Sequence, residues 1–180
     1  MSNYAAIKPY DIANGPGVRV SVFLSGCPHR CVGCFNSEAW DYDYGQLVTE
    51  KVYEEVEKLL ARPFIEGLSL LGGEPLARRN IDTATEFARI AKKQNKSVWI
   101  YTGYTWEEIL TTVLQQPYET ILDLTDVIVD GRFERSFADK TLLFRGSSNQ
   151  RIIDVPKSLY DYNQIILWKE SCPYGSKEDC

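Results

Sequence analysis

Apolar positions along the chain repeat with two different periods, which predict strands and helices in alternation. The continuous β-branched and aromatic runs Val18–Leu24 and Ser97–Tyr101 predict buried strands. Apolar residues at helical spacing predict helices over residues 49–61, with Thr49 as N-cap, and over residues 82–94. An alternation of this kind is typical of an α/β fold, in which parallel strands are joined by right-handed crossovers.

Shorter patterns predict the remaining elements. Further strands are expected at residues 67–71, 126–129, 142–144 and 151–155. Thr105 and Glu108 form a T-x-x-E capping box, which predicts the start of a helix that Pro117 closes. Doubly wound sheets and β/α barrels both meet this description, so the periodicity alone does not choose between them.

The composition limits the classes of partner. The 180 residues are 44% hydrophobic, which is enough to bury one core. A formal net charge of −5 gives no basic footprint, so we expect no nucleic-acid partner. No apolar run approaches the roughly 20 residues needed to cross a bilayer, and the N-terminus lacks the features of a signal peptide. We therefore expect a cytoplasmic protein with no membrane partner.

Three cysteines lie in one short stretch. Cys27, Cys31 and Cys34 have the spacing C-x3-C-x2-C, while the remaining two, Cys172 and Cys180, are far away in the sequence. In a reducing compartment, clustered cysteines indicate metal binding or catalysis rather than disulfides. A structural zinc site takes four protein ligands, whereas three thiolates suit an iron–sulfur cluster with one iron that has no protein ligand. Such an open iron is a place where a substrate binds.

Two other interpretations of this loop remain open. A zinc site would need His29, the only histidine, as a fourth ligand beside the cysteines. His29 lies only two residues from Cys27 and from Cys31, which leaves little backbone to bring its ring to the same ion. The cysteines could also be unligated. We expect an iron–sulfur cluster, with His29 as a loop residue near it.

The unusual residues of the chain follow the predicted strands. The cysteines come directly after the strand Val18–Leu24. Later strands are followed by Gly72-Gly73-Glu74-Pro75, by Thr102-Gly103 and by Asp130-Gly131. In open sheets and in barrels of parallel strands, the carboxyl ends of the strands form the ligand-binding face. The sequence therefore predicts one site at that face.

The cysteine loop together with the G-G-E-P segment resembles the radical S-adenosylmethionine enzymes. Within them, the chain resembles the family of proteins that activate anaerobic ribonucleoside-triphosphate reductase. The resemblance is carried by NGPGVR (14–19), SGCPHRCVGCFN (25–36), SLLGGEPL (69–76), VWIYTGYTWEEI (98–109), DVIVDGRFE (126–134) and LLFRGSSNQR (142–151). These stretches span most of the chain.

The resemblance implies the fold and the cofactors. We expect an α/β, single-domain partial (open) β/α barrel over residues 1–155, with mainly parallel strands and the cluster loop after the first strand. Residues 156–180 would be a C-terminal extension of unknown role. Cys27, Cys31 and Cys34 would hold a 4Fe–4S cluster as the catalytic centre. The methionine group of S-adenosylmethionine would chelate the fourth iron.

The resemblance also implies contacts with S-adenosylmethionine. Gly33 and Phe35, which flank Cys34, match positions that contact the adenine end. Gly72 and Gly73 permit the close backbone approach that the methionine end needs. A carboxylate follows them in Glu74, where related activators often have aspartate, and it would accept a hydrogen bond from the ammonium group.

The implied partners are proteins. The target is a glycine of a large anaerobic ribonucleoside-triphosphate reductase, and a flavodoxin or ferredoxin would donate the electron. Arg145, Asn149 and Gln150 would either clamp the cofactor, receive the glycine loop of the partner, or form a polar turn. Three alternative functions are an activase of another glycyl-radical enzyme of the pyruvate formate-lyase type, a radical enzyme with a small-molecule substrate, and a zinc-binding interaction module.

Overall fold

The computed structural model describes residues 2–113, 121–160 and 164–169 of the chain. Within these ranges seven strands form one sheet: β1 (Asn3–Asp11), β2 (Val18–Leu24), β3 (Gln46–Leu47), β4 (Ile65–Gly72), β5 (Ser97–Tyr101), β6 (Val127–Asp130) and β7 (Arg151–Asp154). The α-helices are α1 (Glu50–Leu60), α2 (Ile81–Lys93), α3 (Trp106–Glu108) and α4 (Val155–Tyr160). A π-helical turn, Ile109–Val113, continues α3, and 3-10 turns occur at Ser37–Trp40, Ile121–Leu124 and Arg135–Phe137.

The sheet is open and mostly parallel in its centre. Its strand order is β3-β1-β2-β4-β5-β6-β7. Strands β2, β4, β5 and β6 pair in parallel, whereas β1 pairs antiparallel with β2 and β3, and β7 pairs antiparallel with β6. The prediction of an α/β fold with mainly parallel strands is therefore confirmed. The partial barrel is not confirmed, because the sheet is open, with β3 at one end of the strand order and β7 at the other.

Two sequence-based predictions were wrong. The cysteine loop follows β2 rather than the first strand, because β1 precedes it in the chain and was not predicted. The sequence of β1, NYAAIKPYD, contains a proline, and four of its nine residues are exposed. Its apolar and polar residues therefore do not alternate as those of a half-buried strand do. The strand predicted at residues 142–144 is a turn, in which Phe144 has a positive φ of 57°.

The other predicted elements lie close to their expected positions. Strands β2 and β5 have the predicted bounds, and α1 and α2 begin and end within one residue of theirs. Thr49 is the N-cap residue of α1, although its side chain makes no capping hydrogen bond. The capping box of Thr105 and Glu108 is confirmed, since each side chain accepts the backbone N–H of the other. The predicted helix end at Pro117 lies outside the described residues.

Alternation along the strands divides the buried side chains between the two faces of the sheet. One face packs against α1 and α2 and forms the main core, which includes Val20, Val22, Leu24, Val56, Leu60, Leu68, Leu70, Phe87, Val98, Ile100 and Ile128. The opposite face carries Trp99, Val127 and Val129, with Phe144 and Trp168 packed on them. Each fully buried large side chain contributes about 1.5–3 kcal/mol. Among the described residues, no helix is long and apolar enough to span a membrane.

Candidate active site

The loop after β4 is joined to the start of the cysteine loop through backbone hydrogen bonds. Gly73 N donates to Leu24 O at 2.6 Å, and Glu74 N donates to Gly26 O at 2.9 Å. Gly72 has a φ of 100°, and a Cβ there would lie 2.8 Å from Leu24 O. A Cβ on Gly73 would lie 2.5 Å from Gly26 O. Only glycine permits this close approach, so the G-G pair joins the ends of two neighbouring parallel strands.

The three cysteines of the loop are free thiols, each partly buried. Main-chain N–H groups face their sulfur atoms. Asn36 N donates to Cys34 Sγ at 3.4 Å, and the N–H of Phe133 faces Cys31 and favours its thiolate. Cys27 receives such donors from within its own loop. Hydrogen bonds to sulfur stabilise thiolate ligands and tune the potential of a cluster.

Burial opposes ionisation of two of these thiols, Cys27 and Cys31. Desolvation raises the pKa of Cys27 to about 11, although the N–H groups of His29 and Arg30 act in the opposite direction. Burial also raises the pKa of Cys31. Within the described residues, no three Cys, His, Asp or Glu side chains are already placed as the ligands of one metal ion. The donor set nevertheless fits an iron–sulfur cluster, since metal binding deprotonates cysteines. The neighbouring N–H groups would stabilise the negative charge on the resulting thiolates.

Residues 131–135, directly after β6, pack against the cysteine loop from the other side. The rings of Phe133 and Phe35 are 5.4 Å apart. A Cβ on Gly33, whose φ is 81°, would lie 3.3 Å from Arg135 Cδ. Sequence reasoning did not identify this contact, although the stretch DGRFE was part of the family resemblance. The segment belongs to the site because it contributes both an N–H donor and an aromatic neighbour.

The imidazole of His29 makes two polar contacts, one at each ring nitrogen. Its Nε2 lies 3.0 Å from Glu74 Oε2, and its Nδ1 accepts a hydrogen bond from Arg132 Nε at 3.2 Å. The side chains of His29 and Glu74 are only 6% and 1% exposed. Both ring nitrogens are therefore engaged elsewhere, which disfavours the interpretation of the loop as a zinc site with three cysteines and one histidine.

Glu74 is enclosed by hydrogen-bond donors. Its Oε1 accepts from Leu76 N at 2.9 Å and from Thr102 Oγ1 at 2.8 Å. Its Oε2 accepts from Gly103 N at 2.7 Å and contacts His29. The carboxylate thus joins the ends of β4 and β5 to the cysteine loop, as the placement of these residues after parallel strands predicted. That Glu74 also accepts a hydrogen bond from the ammonium group of a cofactor stays a prediction.

Asp130 does not face the cysteine loop. It is 1% exposed and accepts from Trp106 N at 2.8 Å and from Arg151 Nε at 3.0 Å. Arg151 also donates to Glu107 at 2.9 Å. This network fixes α3 against β6 and β7, so the residue at this strand end supports the site from outside it.

The residues of the RGSSNQ segment form a polar turn on residues 131–134. Arg145 Nη1 donates to Gln150 O at 2.7 Å, and Gln150 Nε2 donates to Gly131 O at 3.0 Å. Asn149 Nδ2 donates to Arg132 O at 2.9 Å. These contacts hold the segment after β6 in place. A direct contact of Arg145, Asn149 or Gln150 with a cofactor or partner stays a prediction.

Comparisons with known proteins agree with this arrangement. The family model of a 4Fe-4S single cluster domain matches residues 13–153. The anaerobic ribonucleoside-triphosphate reductase-activating protein of Pasteurella multocida is 40% identical over 154 residues, which are 83% of this chain and 96% of the relative. The proteins of the same name from Enterobacteria phage T4 and Escherichia coli K12 are 38% and 36% identical over 152 residues each. They cover 83% and 82% of this chain, and 92% and 96% of their own lengths.

The chain belongs to the family of anaerobic ribonucleoside-triphosphate reductase-activating proteins. Its match to a 4Fe-4S domain supports an iron–sulfur cluster, and the matched range contains only three of the five cysteines, Cys27, Cys31 and Cys34. Cys172 and Cys180 lie beyond that range and outside the described residues. That the cysteine loop after β2 holds the cluster stays a prediction, which this match supports. The division of the chain at residue 155 stays a prediction.

Proposed function

We propose that this chain activates an anaerobic ribonucleoside-triphosphate reductase, using a 4Fe–4S cluster and S-adenosylmethionine. The observation that supports the proposal is a loop of three cysteines, with N–H donors toward the sulfurs, inside a 4Fe-4S domain shared with reductase-activating relatives. Cys27, Cys31 and Cys34 are the proposed ligands of the cluster. One iron then has no protein ligand and is free to bind S-adenosylmethionine.

A cluster held by Cys27, Cys31 and Cys34 would supply one electron, taken from a flavodoxin- or ferredoxin-type donor, for cleavage of the S–C5′ bond of S-adenosylmethionine to methionine and a 5′-deoxyadenosyl radical. That radical would take a hydrogen atom from a glycine Cα of the reductase. The products are 5′-deoxyadenosine and a glycyl radical on the partner. One electron enters and one hydrogen atom is transferred, so the reaction balances.

The residues of this chain would bind and orient the cofactor. The turn at residues 72–74 brings backbone close to the start of the cysteine loop, and we assign the methionine end of S-adenosylmethionine to it. Gly33 and Phe35 are assigned to the adenine end. Phe35 is 77% exposed and has one neighbouring ring, Phe133, so an aromatic surface remains open for stacking.

The test is anaerobic reconstitution with iron and sulfide, followed by reduction and assay of 5′-deoxyadenosine with and without the reductase. A glycyl radical on the reductase is detected by electron paramagnetic resonance. Cys34→Ala is expected to abolish cleavage, because the cluster loses one of its three ligands. Cys172→Ala is the matched control, since Cys172 lies outside the 4Fe-4S domain, and it should cleave at the wild-type rate.

Each outcome separates the proposal from one alternative. 5′-Deoxyadenosine together with a glycyl radical on the reductase would support it. Cleavage without that radical would redirect the activity to another glycyl-radical enzyme or to a small molecule. A protein that carries about one zinc per chain and no iron or sulfide would refute it in favour of a zinc-binding module.

A further inference from the structure

We propose that His29 is a positioning residue that fastens the cysteine loop to the ends of β4 and β5 through Glu74. The inference rests on the proposed function for its purpose, because the loop is the proposed cluster site. Its geometry is independent of that function. His29 lies between Cys27 and Cys31 in the sequence, so a bond to its side chain restrains both cysteines.

The hydrogen-bond partners assign the state of the His29 ring. Arginine only donates, so Nδ1 accepts from Arg132 Nε and carries no proton. Nε2 therefore carries the ring proton and donates it to Glu74 Oε2 at 3.0 Å. This neutral tautomer bridges a cation on one side and a carboxylate on the other. The assignment follows from the partners of the ring, as it must for any histidine hydrogen.

The carboxylate of Glu74 is held in one position because all of its hydrogen-bond acceptor sites are occupied. An ionised carboxylate has about four lone-pair sites. Leu76 N, Thr102 Oγ1 and Gly103 N occupy three of them, and His29 occupies the fourth. A ligand's ammonium group would reach the carboxylate only by displacing one of these donors. In this arrangement Glu74 therefore acts on the cysteine loop through His29.

Packing holds the imidazole in the same orientation. A Cβ on Gly103 would lie 2.3 Å from His29 Cδ2, so the ring fills the space that this glycine leaves. The rings of Tyr104 and His29 pack in a T-shaped arrangement, with their centroids 4.5 Å apart. The side chain is 6% exposed, so its bond to the buried Glu74 carboxylate is largely shielded from water, whereas Arg132 is 50% exposed.

The bridge continues to the other side of the site. Arg132 Nη2 lies 3.3 Å from Glu108 Oε1, and the other oxygen of Glu108 accepts Thr105 N in the capping box of α3. The contacts Glu108–Arg132–His29–Glu74 therefore link elements after β5, β6, β2 and β4. Arg132 directly precedes Phe133, whose N–H faces Cys31. The bridge thus sets the separation between the cysteine loop and its donor segment.

Two substitutions of His29 separate its polar bridge from its volume. His29→Phe keeps a ring of similar size and removes both hydrogen bonds. His29→Gln has an amide that can donate to Glu74 and accept from Arg132, so it retains the polar function without the ring. The first measurement uses cluster-free protein and follows alkylation of Cys27, Cys31 and Cys34 by peptide mass spectrometry. Loss of the bridge is expected to speed alkylation of these thiols about tenfold in His29→Phe, and His29→Gln should remain within about threefold of wild type.

A second measurement uses the reconstituted holoprotein. S-adenosylmethionine is titrated while the electron paramagnetic resonance spectrum of the reduced cluster is recorded. His29→Phe should need about tenfold more cofactor for the half-maximal spectral change, whereas the fully saturated spectrum should match wild type. His29→Gln should again lie near wild type. A general loss of stability would not produce this split between affinity and saturated spectrum.

Arg132→Ala provides a variant that is not buried, since its side chain is 50% exposed. It is expected to change alkylation in the same direction as His29→Phe. Arg89→Ala is its matched control, because Arg89 is 40% exposed and pairs with Glu86 on α2, away from the site. That control should alkylate at the wild-type rate.

Failure of the inference and failure of the proposed function are distinguishable. Wild-type alkylation rates in both His29→Phe and Arg132→Ala would overturn the bridge, whatever the holoprotein does. Equal acceleration in His29→Gln and His29→Phe would also overturn it, since ring volume would then be the cause. A wild-type protein that binds no cluster would refute the proposed function, and the alkylation measurement would still decide the role of His29.

Discussion

Arg19 is a buried cation whose hydrogen-bond partners are all neutral. It has no exposed surface, and within the described part of the chain it makes no ion pair. Its guanidinium donates to Ser69 Oγ at 2.8 Å, to Leu68 O at 2.8 Å, to Ser97 Oγ at 2.9 Å and to Ser97 O at 3.1 Å. It also lies 5.5 Å from the centre of a Trp99 ring. Arg19 therefore connects β2, β4 and β5 on the face opposite α1 and α2, and we expect Arg19→Met to destabilise the fold.

Two opposing terms set the magnitude of this effect. The four hydrogen bonds of 3.1 Å or less, at about 1.5 kcal/mol each from a charged donor, contribute roughly 6 kcal/mol, and a fifth, from Arg19 Nη1 to Pro16 O at 3.5 Å, is too long to add much. Burial disfavours the charged form and lowers the pKa of Arg19 to about 10, which corresponds to a cost of about 3 kcal/mol. The net loss in Arg19→Met is therefore about 3 kcal/mol, and it should lower Tm by roughly 6–12 °C for a chain of this size.

The assay is thermal unfolding of cluster-free protein under anaerobic, reducing conditions. Arg19→Lys should lie between wild type and Arg19→Met, since it keeps the charge but loses the planar set of donors. Arg89→Met is the control on the surface of α2, and it should lie within about 2 °C of wild type. An Arg19→Met protein as stable as this control would show that desolvation cancels the hydrogen bonds, and would refute a net stabilisation by Arg19.

Three further predictions concern other parts of the site. Gly103→Ala should cost about 1–3 kcal/mol in urea unfolding, because its Cβ would lie 2.3 Å from His29 Cδ2 and must displace the ring; an unchanged midpoint would contradict this. Thr105→Ala should lose about 1 kcal/mol in the same assay, since the N-cap hydrogen bond to Glu108 N is removed. Hydrogen bonds from Arg151 lower the pKa of Glu107 to about 2, so the stability that this pair provides is present above its ordinary pKa of 4.5 and is lost as the pH falls through 2. Glu107→Gln should flatten that acid-side loss by under about 1 kcal/mol, because the pair is exposed, and an unchanged slope would contradict it.

Local sequence patterns predicted the central strands and the helices, but they did not predict the strands at the β3–β1 edge of the sheet. Strands β2 and β5 are buried on both faces, so each reads as a continuous β-branched and aromatic run with clear ends. Strand β1 lies between β2 and the two-residue β3, and its largely unburied positions follow no period. The apolar residues 142–144 looked like a strand for another reason. Phe144 packs on Trp99 at 5.5 Å from within a turn, so its hydrophobicity reflects a tertiary contact.

The site divides in the same way between local and long-range information. The cysteine spacing and the G-G pair are local patterns with a direct chemical meaning, and both lie at the strand ends as predicted. The contact between His29 and Arg132 joins residues that are 103 positions apart in the chain. No periodicity marks such a pair, and only the order of the parallel strands brings it together. The sequence pattern therefore predicts ligands for the proposed cluster, but it does not predict the distant residues that contact their loop.

The cysteine loop is restrained mainly by residues that are distant in the sequence. Its own backbone provides few restraints between Cys27 and Cys34: Cys27 N bonds to Trp40 O at 3.1 Å, and Cys34 N bonds to Cys31 O at 3.1 Å. Positive φ values such as 48° at Arg30 leave it without regular structure. The remaining restraints come from the glycine turn after β4, from Glu74 and from residues 131–135. A loop of this kind takes its shape from the ends of several strands at once, so the three cysteines of the proposed cluster site are brought into position only when the sheet has assembled around them.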